Sequence, residues 1–379
     1  MNDSININWR HFDFWLLGAV ALLILFGVTM IRSAISGNIE LAGYDTRQLI
    51  FAGIGMVAII IVTAIDYHFW ASISSTLYVV TVIALAALLG VSAVFGSSRW
   101  FSLVVVNVQP SELAKIVLIL VLAQFFTQNQ HRMDDVRTVI RSFISAMGIT
   151  IWIVLQPNLS TSIVMMVIWF ALLWAAGLRV KHLMIFAGIG LIAAVILIPI
   201  FMTVEFPGIG KVIKDYQVSR VTSFLFPDPD ARHGDDYNIE QALISIGTGG
   251  WFGQGYGHGS QVQLRFLKVR WSDFIFSAMA QEFGFVGTVL VMLVLLFVVL
   301  RCLRAARLSR DTYGAFICYG VATLLMFQAV VNIGVNLRLM PATGLTLPFI
   351  SYGGSSLLSN MLGIGLVESV ILRHKSLEF

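Results

Sequence analysis

Three stretches of the 379-residue sequence set ionisable or hydroxyl-bearing side chains at the edges of long apolar runs, where such groups are costly to keep. The first is Arg99-Trp100, followed by Gln109-Pro110-Ser111-Glu112-Leu113-Ala114-Lys115. Pro110 suits the first position of a helix, Glu112 then falls in the first turn where the helix dipole favours a carboxylate, and Lys115 shares its face. That spacing serves either a structural cap with an ion pair or a cavity in which Lys115 or Arg99 faces an anionic head group. The second stretch holds Arg220, Pro227-Asp228-Pro229-Asp230, and a segment from Gly247 to Gly259 with seven glycines. It lacks the Gly-Lys-Ser/Thr of a phosphate-binding loop, so it reads equally as a flexible loop over a site or as a compact one. His258 has no second metal ligand near it in sequence and reads as a surface histidine. Then come Trp271-Ser272-Asp273-Phe274-Ile275-Phe276 and Gln281-Glu282-Phe283-Gly284-Phe285. Asp273 is expected to start a helix, where an Asp is commonly a cap. Glu282 would lie about 180° around that helix and roughly 13 Å along it, so the two carboxylates cannot pair unless the helix breaks. Glu282 is therefore assigned to interhelical hydrogen bonding, which leaves Asp273 as a lone carboxylate at the water boundary. The third stretch, Asn332 to Ser356, mixes Pro341, Pro348, glycines and hydroxyls with apolar residues, as in a broken or re-entrant segment that lines a cavity.

The elements that must hold these residues follow from composition. Hydrophobic residues make up 58% of the chain and charged residues 12%, whereas a soluble domain carries about 25% charged residues. Mean hydropathy is +0.87, and the apolar residues fall in blocks of about 17–25, enough to cross a bilayer as helix. The chain is expected to be an all-α polytopic membrane protein. Its net charge of +4 sits mainly in short loops and implies no nucleic-acid partner. Cys302 and Cys318 lie in or beside apolar blocks as packing residues. The first run, Phe14 to Ile31, is too long for a signal-peptide core and reads as a retained helix.

Ten transmembrane helices are predicted, at about 13–33, 48–65, 72–94, 110–127, 142–155, 160–177, 183–204, 273–300, 312–332 and 354–372. With both termini cytoplasmic, the inner segments hold twelve basic residues: Arg10, Arg132, Arg137, Arg141, Arg179, Lys181, Arg301, Arg304, Arg307, Arg310, Arg373 and Lys375. The short outer loops hold four, Arg32, Arg47, Arg99 and Arg338, and the excess favours that orientation. A long extracytoplasmic loop, about 205–272, then joins helices seven and eight, and residues 1–379 form one transmembrane domain.

The run Pro341 to Ser356 resembles the C-terminal signature of the SEDS family (shape, elongation, division and sporulation), which includes RodA and FtsW. Gly96 to Trp100, Gln109 to Lys115, Arg220, Tyr237 to Gly250, Gly253-Gln254-Gly255, Asp273 to Phe276 and Glu282 to Phe285 all fall in family order. Each match is weak by itself; in order on ten helices they are specific. The short N-terminal segment is most similar to the RodA branch. The resemblance implies a peptidoglycan glycosyltransferase of the bacterial cytoplasmic membrane that joins lipid II into glycan strands at its outer face. It implies a class B penicillin-binding protein as partner, membrane lipids and the elongation machinery around it, and a role in cell shape.

The family's essential aspartate corresponds to Asp273. An α-linked diphosphate donor and a β-1,4 product need one inverting displacement, hence one general base on the acceptor 4-hydroxyl and no carboxylate nucleophile. Trp100, Glu112 and Ser355 join Arg99, Lys115 and Arg220 as substrate-binding candidates, the three cations to stabilise the leaving diphosphate. A divalent cation such as Mg or Mn could share that task, although no ligand cluster in the sequence specifies one. The chain departs from the family pattern before the aspartate, where Lys268-Val269-Arg270-Trp271-Ser272 stands in place of a common Pro-Glu and His-Thr. It also departs at Asn158 and Ser160, in place of Asp and Gly, and at Arg338, in place of a small residue. The competing readings are a lipid II flippase, since intramembrane charge and a broken helix suit transport too, and a scaffold that only activates its partner.

Overall fold

Hydrophobic runs of this length must satisfy their backbone internally, and in the computed structural model they do so almost wholly as helix. The structure describes residues 11–95, 101–102, 107–133, 135–178, 184, 188, 205–206, 210–211, 215–227 and 234–374. Within them run α1 (Phe14–Ala34), α2 (Tyr44–Ala64), α3 (Tyr67–Phe95), α4 (Pro110–Asn129), α5 (Val136–Leu155) and α6 (Leu159–Ala175). Then follow α7 (Asp215–Leu225), α8 (Asp235–Gly249), α9 (Ser260–Gln263), α10 (Ile275–Leu308), α11 (Thr312–Asn336) and α12 (Gly354–Leu372). Among the described residues eight helical segments are long and apolar enough to cross a membrane, and α6 is a shorter apolar helix. The expected span at about 183–204 falls almost entirely outside the described residues. So do Arg99 and Trp100. Two short antiparallel ladders qualify the all-α expectation: β1 (Phe101–Ser102) pairs with β2 (Asn107–Val108), and β3 (Glu205–Phe206) with β4 (Gly210–Lys211). The segment 205–272 is also more structured than a plain loop, because α7, α8 and α9 lie within it.

The chain divides into two compact units, residues 68–219 and residues 1–67 with 220–379. In the first, α4, α5 and α6 pack on one another. Asn158 caps α6 by accepting from the Thr161 N–H (3.4 Å), and its amide reaches the Ser111 hydroxyl in the first turn of α4 (3.5 Å). Asn at this turn is thus a helix cap, a job that needs no charge. Gln156 donates to the Leu85 carbonyl (2.9 Å), and Trp169 donates to Ser142 (3.0 Å), so these buried polar groups are paired across the helices of the unit.

In the second unit α12 lies along α2, and α10 packs against α1, α8 and α11. Small residues set the α2–α12 approach: a methyl at Gly365 would come within 3.2 Å of the Ile59 backbone, and one at Gly55 within 2.2 Å of the Met361 sulfur. Asp13 caps α1 through the Leu16 N–H (3.1 Å), and Asp311 caps α11 through the Gly314 N–H (2.8 Å). At that end of the unit Asp13 also pairs with Arg301, while the Asp13 N–H donates to the buried Glu368 carboxylate (3.1 Å).

Helix α10 breaks at Gly284 (φ 66°, ψ −168°). A break at membrane depth strands carbonyls and N–H groups on either side. The glycine-rich segment supplies partners on both sides. The Gln254 and Gly255 N–H groups donate to the Gln281 and Glu282 carbonyls (2.9 and 3.0 Å), and Phe285 and Val286 donate to the Gly250 and Trp251 carbonyls (2.8 and 3.1 Å). Backbone must touch backbone for this exchange. A methyl on Gly253 would sit 2.2 Å from the Glu282 carbonyl oxygen, and one on Gly284 2.3 Å from the Gly253 nitrogen. The segment from Gly247 is therefore a compact strap, with Gly247 and Gly249 already inside α8. Gly284→Ala combines a left-handed φ with this overlap and is expected to destabilise the protein by about 2 kcal/mol or more. A fall in the melting temperature of the detergent-purified variant measures it, and a wild-type melt would contradict the exchange.

Candidate active site

Asp273 does not begin α10, as its position in the sequence suggested. It lies two residues before the first helical residue, Ile275, with Phe274 at the cap position making no side-chain cap bond. Four strands of contact hold the peptide there. The Asn336 and Asn332 amides, one turn apart on α11, both donate to the Asp273 carbonyl (2.9 and 3.1 Å). Asn332 donates as well to the Leu345 carbonyl (2.8 Å). The Ser351 hydroxyl donates to the Ser272 carbonyl (2.7 Å), and the Tyr352 N–H to the Trp271 carbonyl (2.9 Å). The irregular segment between α11 and α12 is thus folded onto the residues around Asp273, which is the broken backbone that its prolines and glycines implied. Gly344, at φ 74°, lies against the carboxylate: a methyl there would be 3.6 Å from Oδ2.

The side chain itself is half-buried. Its Oδ1 accepts from the Ser272 hydroxyl (2.8 Å), and among the described residues no helix N–H is bonded to it. Burial pushes the carboxyl above its usual range; the Ser272 hydrogen bond and the Arg220 charge pull it down, and the Asp235 carboxylate pushes it up. Arg220 is placed beside Asp273 from α7, where its guanidinium donates to the Thr343 carbonyl (3.3 Å) and pairs with Asp235 at the start of α8 (3.4 Å). A carboxylate, an arginine and the irregular backbone around Thr343 therefore converge on one end of α10.

The basic segment before the aspartate has a structural use. Arg270 is buried, donates to the Ala34 carbonyl at the C-terminus of α1 (2.6 Å) and to the Leu267 carbonyl (3.3 Å), and burial lowers its pKa. Arg265 donates to the Gly37 carbonyl. These cations satisfy carbonyls left over where α1 ends, the ordinary role of a basic residue at that place. Glu282 receives the Ser33 hydroxyl of α1, the interhelical bond expected of it, and the Gly284 break lies beyond it, so it is not brought to Asp273 as a partner.

Of the remaining sequence candidates, Glu112 and Lys115 lie in the other unit. They pair as their spacing predicts, Nζ to Oε2 at 2.7 Å, and Lys115 has no exposed surface. Ser355 is buried in the first turn of α12, where its neighbour Ser356 is hydrogen-bonded to Thr346 (2.8 Å). Arg338 has φ 56° at the end of α11 and opens the irregular segment. Among the described residues no three His, Cys, Asp or Glu side chains form a metal-ligand group. Asp235 and the Asn332–Asn336 pair were not singled out as site residues from the sequence. The signal for the pair was two amides spaced i, i+4 in an apolar helix, costly to bury unless bonded.

A polytopic helical membrane protein with this carboxylate at a helix mouth has known relatives. The chain belongs to the FtsW/RodA/SpoVE family, whose model, described as a cell cycle protein, matches residues 13–376. It is 33% identical over 375 residues to a probable peptidoglycan glycosyltransferase FtsW from Geobacter sp. (strain M18), covering 96% of this chain and 98% of that protein. Among solved structures it is similar to a chain of a peptidoglycan synthase complex that coordinates polymerization and crosslinking, with TM-score 0.76, 29% identity, and 95% and 97% of the two chains covered. It is also similar to the rod shape determining protein RodA of Thermus thermophilus, with TM-score 0.70, 27% identity, and 97% and 99% covered.

An acid whose folded pKa exceeds its unfolded value holds more protons folded than unfolded, so stability falls as pH rises between the two. Asp273→Asn is therefore expected to raise the melting temperature at pH 8, with the gain shrinking towards the unfolded Asp pKa of about 3.9. Thermal unfolding in detergent across pH tests this; a gain independent of pH would contradict the raised pKa.

Proposed function

We propose that the chain is a lipid II-dependent peptidoglycan glycosyltransferase in which Asp273 is the general base. The observation that carries this reading is the state of that side chain. It is half-buried, bonded by one hydroxyl, close to an arginine, and held with a pKa displaced towards neutrality, where a base works best. The carboxylate takes the proton of the acceptor 4-hydroxyl as that oxygen forms a bond to the donor anomeric carbon. The bond from that carbon to diphosphate breaks, its electron pair leaves with the lipid diphosphate, and the anomeric configuration inverts. One carboxylate suffices for such a displacement. Arg220, anchored by Asp235 and the Thr343 carbonyl, is the described cation nearest to this chemistry and offsets the leaving charge. Arg99 with Trp100, and the Glu112–Lys115 pair with Ser355, remain substrate-binding candidates; the burial of Lys115 against Glu112 assigns that pair to shaping its helix end first.

The charge bias of the loops supports a cytoplasmic-membrane protein with both termini inside, so that the Asp273 end faces outwards. The likeness to a chain of a peptidoglycan synthase complex supports a class B penicillin-binding protein as partner. The expected experiment is polymerisation of purified lipid II by the protein with that partner: polymer from wild type, none from Asp273→Ala or Asp273→Asn, with partner binding retained. Polymer from both variants would remove the base assignment. The broken helix α10 also suits a transporter, and wild-type protein that moves lipid II across vesicles without polymerising it would put that reading in its place.

A role in elongation rests on the likeness of the short N-terminal segment to the RodA branch. Depleting the protein in its own cells is expected to give rounded cells. Filaments with blocked septa would place it in division instead.

A further inference from the structure

A helix that starts at Ile275 leaves its first N–H groups without intrahelical partners, and the side chain just before it is the usual acceptor. Phe274, at that place, has no acceptor, and Asp273, the nearest carboxylate, does not supply one. The acceptor arrives from another helix. Asn336, fully buried at the C-terminal end of α11, takes the N–H of Ser277 on its Oδ1 (3.1 Å), together with the Ser277 hydroxyl (2.6 Å). Ser277 is the third helical residue, the position that an N-cap side chain ordinarily serves. The same Asn336 gives its Nδ2 to the Asp273 carbonyl (2.9 Å) and to the Asn332 carbonyl (2.8 Å), and Asn332 adds a second donor to Asp273 (3.1 Å).

We infer that Asn336, backed by Asn332, is a positioning residue that caps α10 in trans and so releases the Asp273 carboxylate from capping. Its acceptor performs the bond that would otherwise recruit Asp273, and its donor pins the Asp273 peptide so that the carboxylate turns towards Gly344 and Ser272. A carboxylate that caps a helix is held by backbone N–H groups, its pKa falls, and its lone pairs are no longer directed at a substrate hydroxyl. Capping and base catalysis are competing uses of one side chain here, and Asn336 decides between them. The inference rests on Asp273 being the base, as proposed above.

The experiment is lipid II polymerisation against pH for Asn336→Ala, Asn336→Asp and Asn332→Ala, with Asp273→Asn alongside and the melting temperature of each variant recorded. Asn336→Ala is expected to lower kcat by about 10²-fold, the scale of a small misplacement, with KM for lipid II within about twofold of wild type. Its acid limb should move to lower pH by about one unit, because Asp273 turns to cap α10. Asn336→Asp keeps the acceptor and adds a carboxylate, which like that of Asp235 pushes Asp273 up, so its acid limb should not move below that of wild type. Asn332→Ala removes only a donor and leaves the cap acceptor in place, so its kcat should fall without a shift in the limb. Should Asn336→Ala fail to fold, Asn336→Asp carries the test, and a limb that moves to lower pH although the acceptor is kept would overturn the inference. A folded Asn336→Ala enzyme with wild-type kcat would overturn the inference, as would a fall in kcat with an unmoved limb. Activity in Asp273→Asn would remove the base reading itself, whereas a dead Asp273→Asn beside a normal Asn336→Ala would remove this inference alone.

Discussion

Backbone hydrogen bonds at the Gly284 break govern the arrangement around Asp273. α10 is 34 residues long, about 51 Å of helix against a hydrocarbon core of about 30 Å, so a straight rod would carry its N-terminal end well beyond the core. The break reorients that end, and the four backbone bonds exchanged with the strap from Gly250 to Gly255 replace those that it removes. Both partners are main chain, so side chains contribute only by being absent at Gly253 and Gly284. The strap in turn begins where α8 ends, and α8 begins with Asp235, the anchor of Arg220. One exchange of backbone bonds therefore sets both the direction of the first turns of α10 and the place of the arginine beside its carboxylate.

At the other end of the same unit the polar work is ionic. Asp13 caps α1, pairs with Arg301 of α10 and gives its N–H to Glu368 of α12, while Arg373 donates to the Thr63 and Ala64 carbonyls where α2 ends (3.1 and 2.9 Å). Buried pairs add little net stability, because desolvation offsets attraction, yet loss of one partner costs about 3–5 kcal/mol. Such a cluster acts on register: it disfavours every sliding of α1, α10 and α12 that would strand a charge. With register fixed at that end and the backbone exchange near the other, Asp273 adjoins an element held at two places along its length.

The helices were legible because apolar length has one reading in a bilayer; their ends were less so, and the fifth, expected from 142, begins at Val136, where Asp135 caps it and polar residues extend the first turns. The Glu112–Lys115 pair was legible from local spacing, and the irregular segment after α11 from its prolines and glycines. The start of α10 was not. An Asp followed by an apolar run reads as its cap under every local rule, and only the tertiary position of Asn336, 63 residues away from Asp273 in sequence, assigns the cap elsewhere. The glycine-rich strap was open for a related reason: glycine permits mobility and close approach alike, and the choice depends on a partner backbone that sequence spacing does not reveal. Arg270 likewise gave no hint of its acceptor, because the carbonyls at the end of α1 become neighbours only through the fold.

The cost of keeping Asp273 uncapped bears on its use. A half-buried carboxylate bonded by one hydroxyl and repelled by Asp235 is less favourable than one that caps a helix, and the fold contains an amide pair that takes the capping place. The carboxylates that cap helices are treated differently: Asp13, Asp135 and Asp311 each accept a helix N–H. The segment Lys268 to Ser272 supports this arrangement, since Arg270 ties the approach to α10 to the end of α1 and Ser272 supplies the one hydroxyl. The inverting transfer proposed above would need a single basic oxygen next to a cation, and that is the combination that capping in trans would preserve.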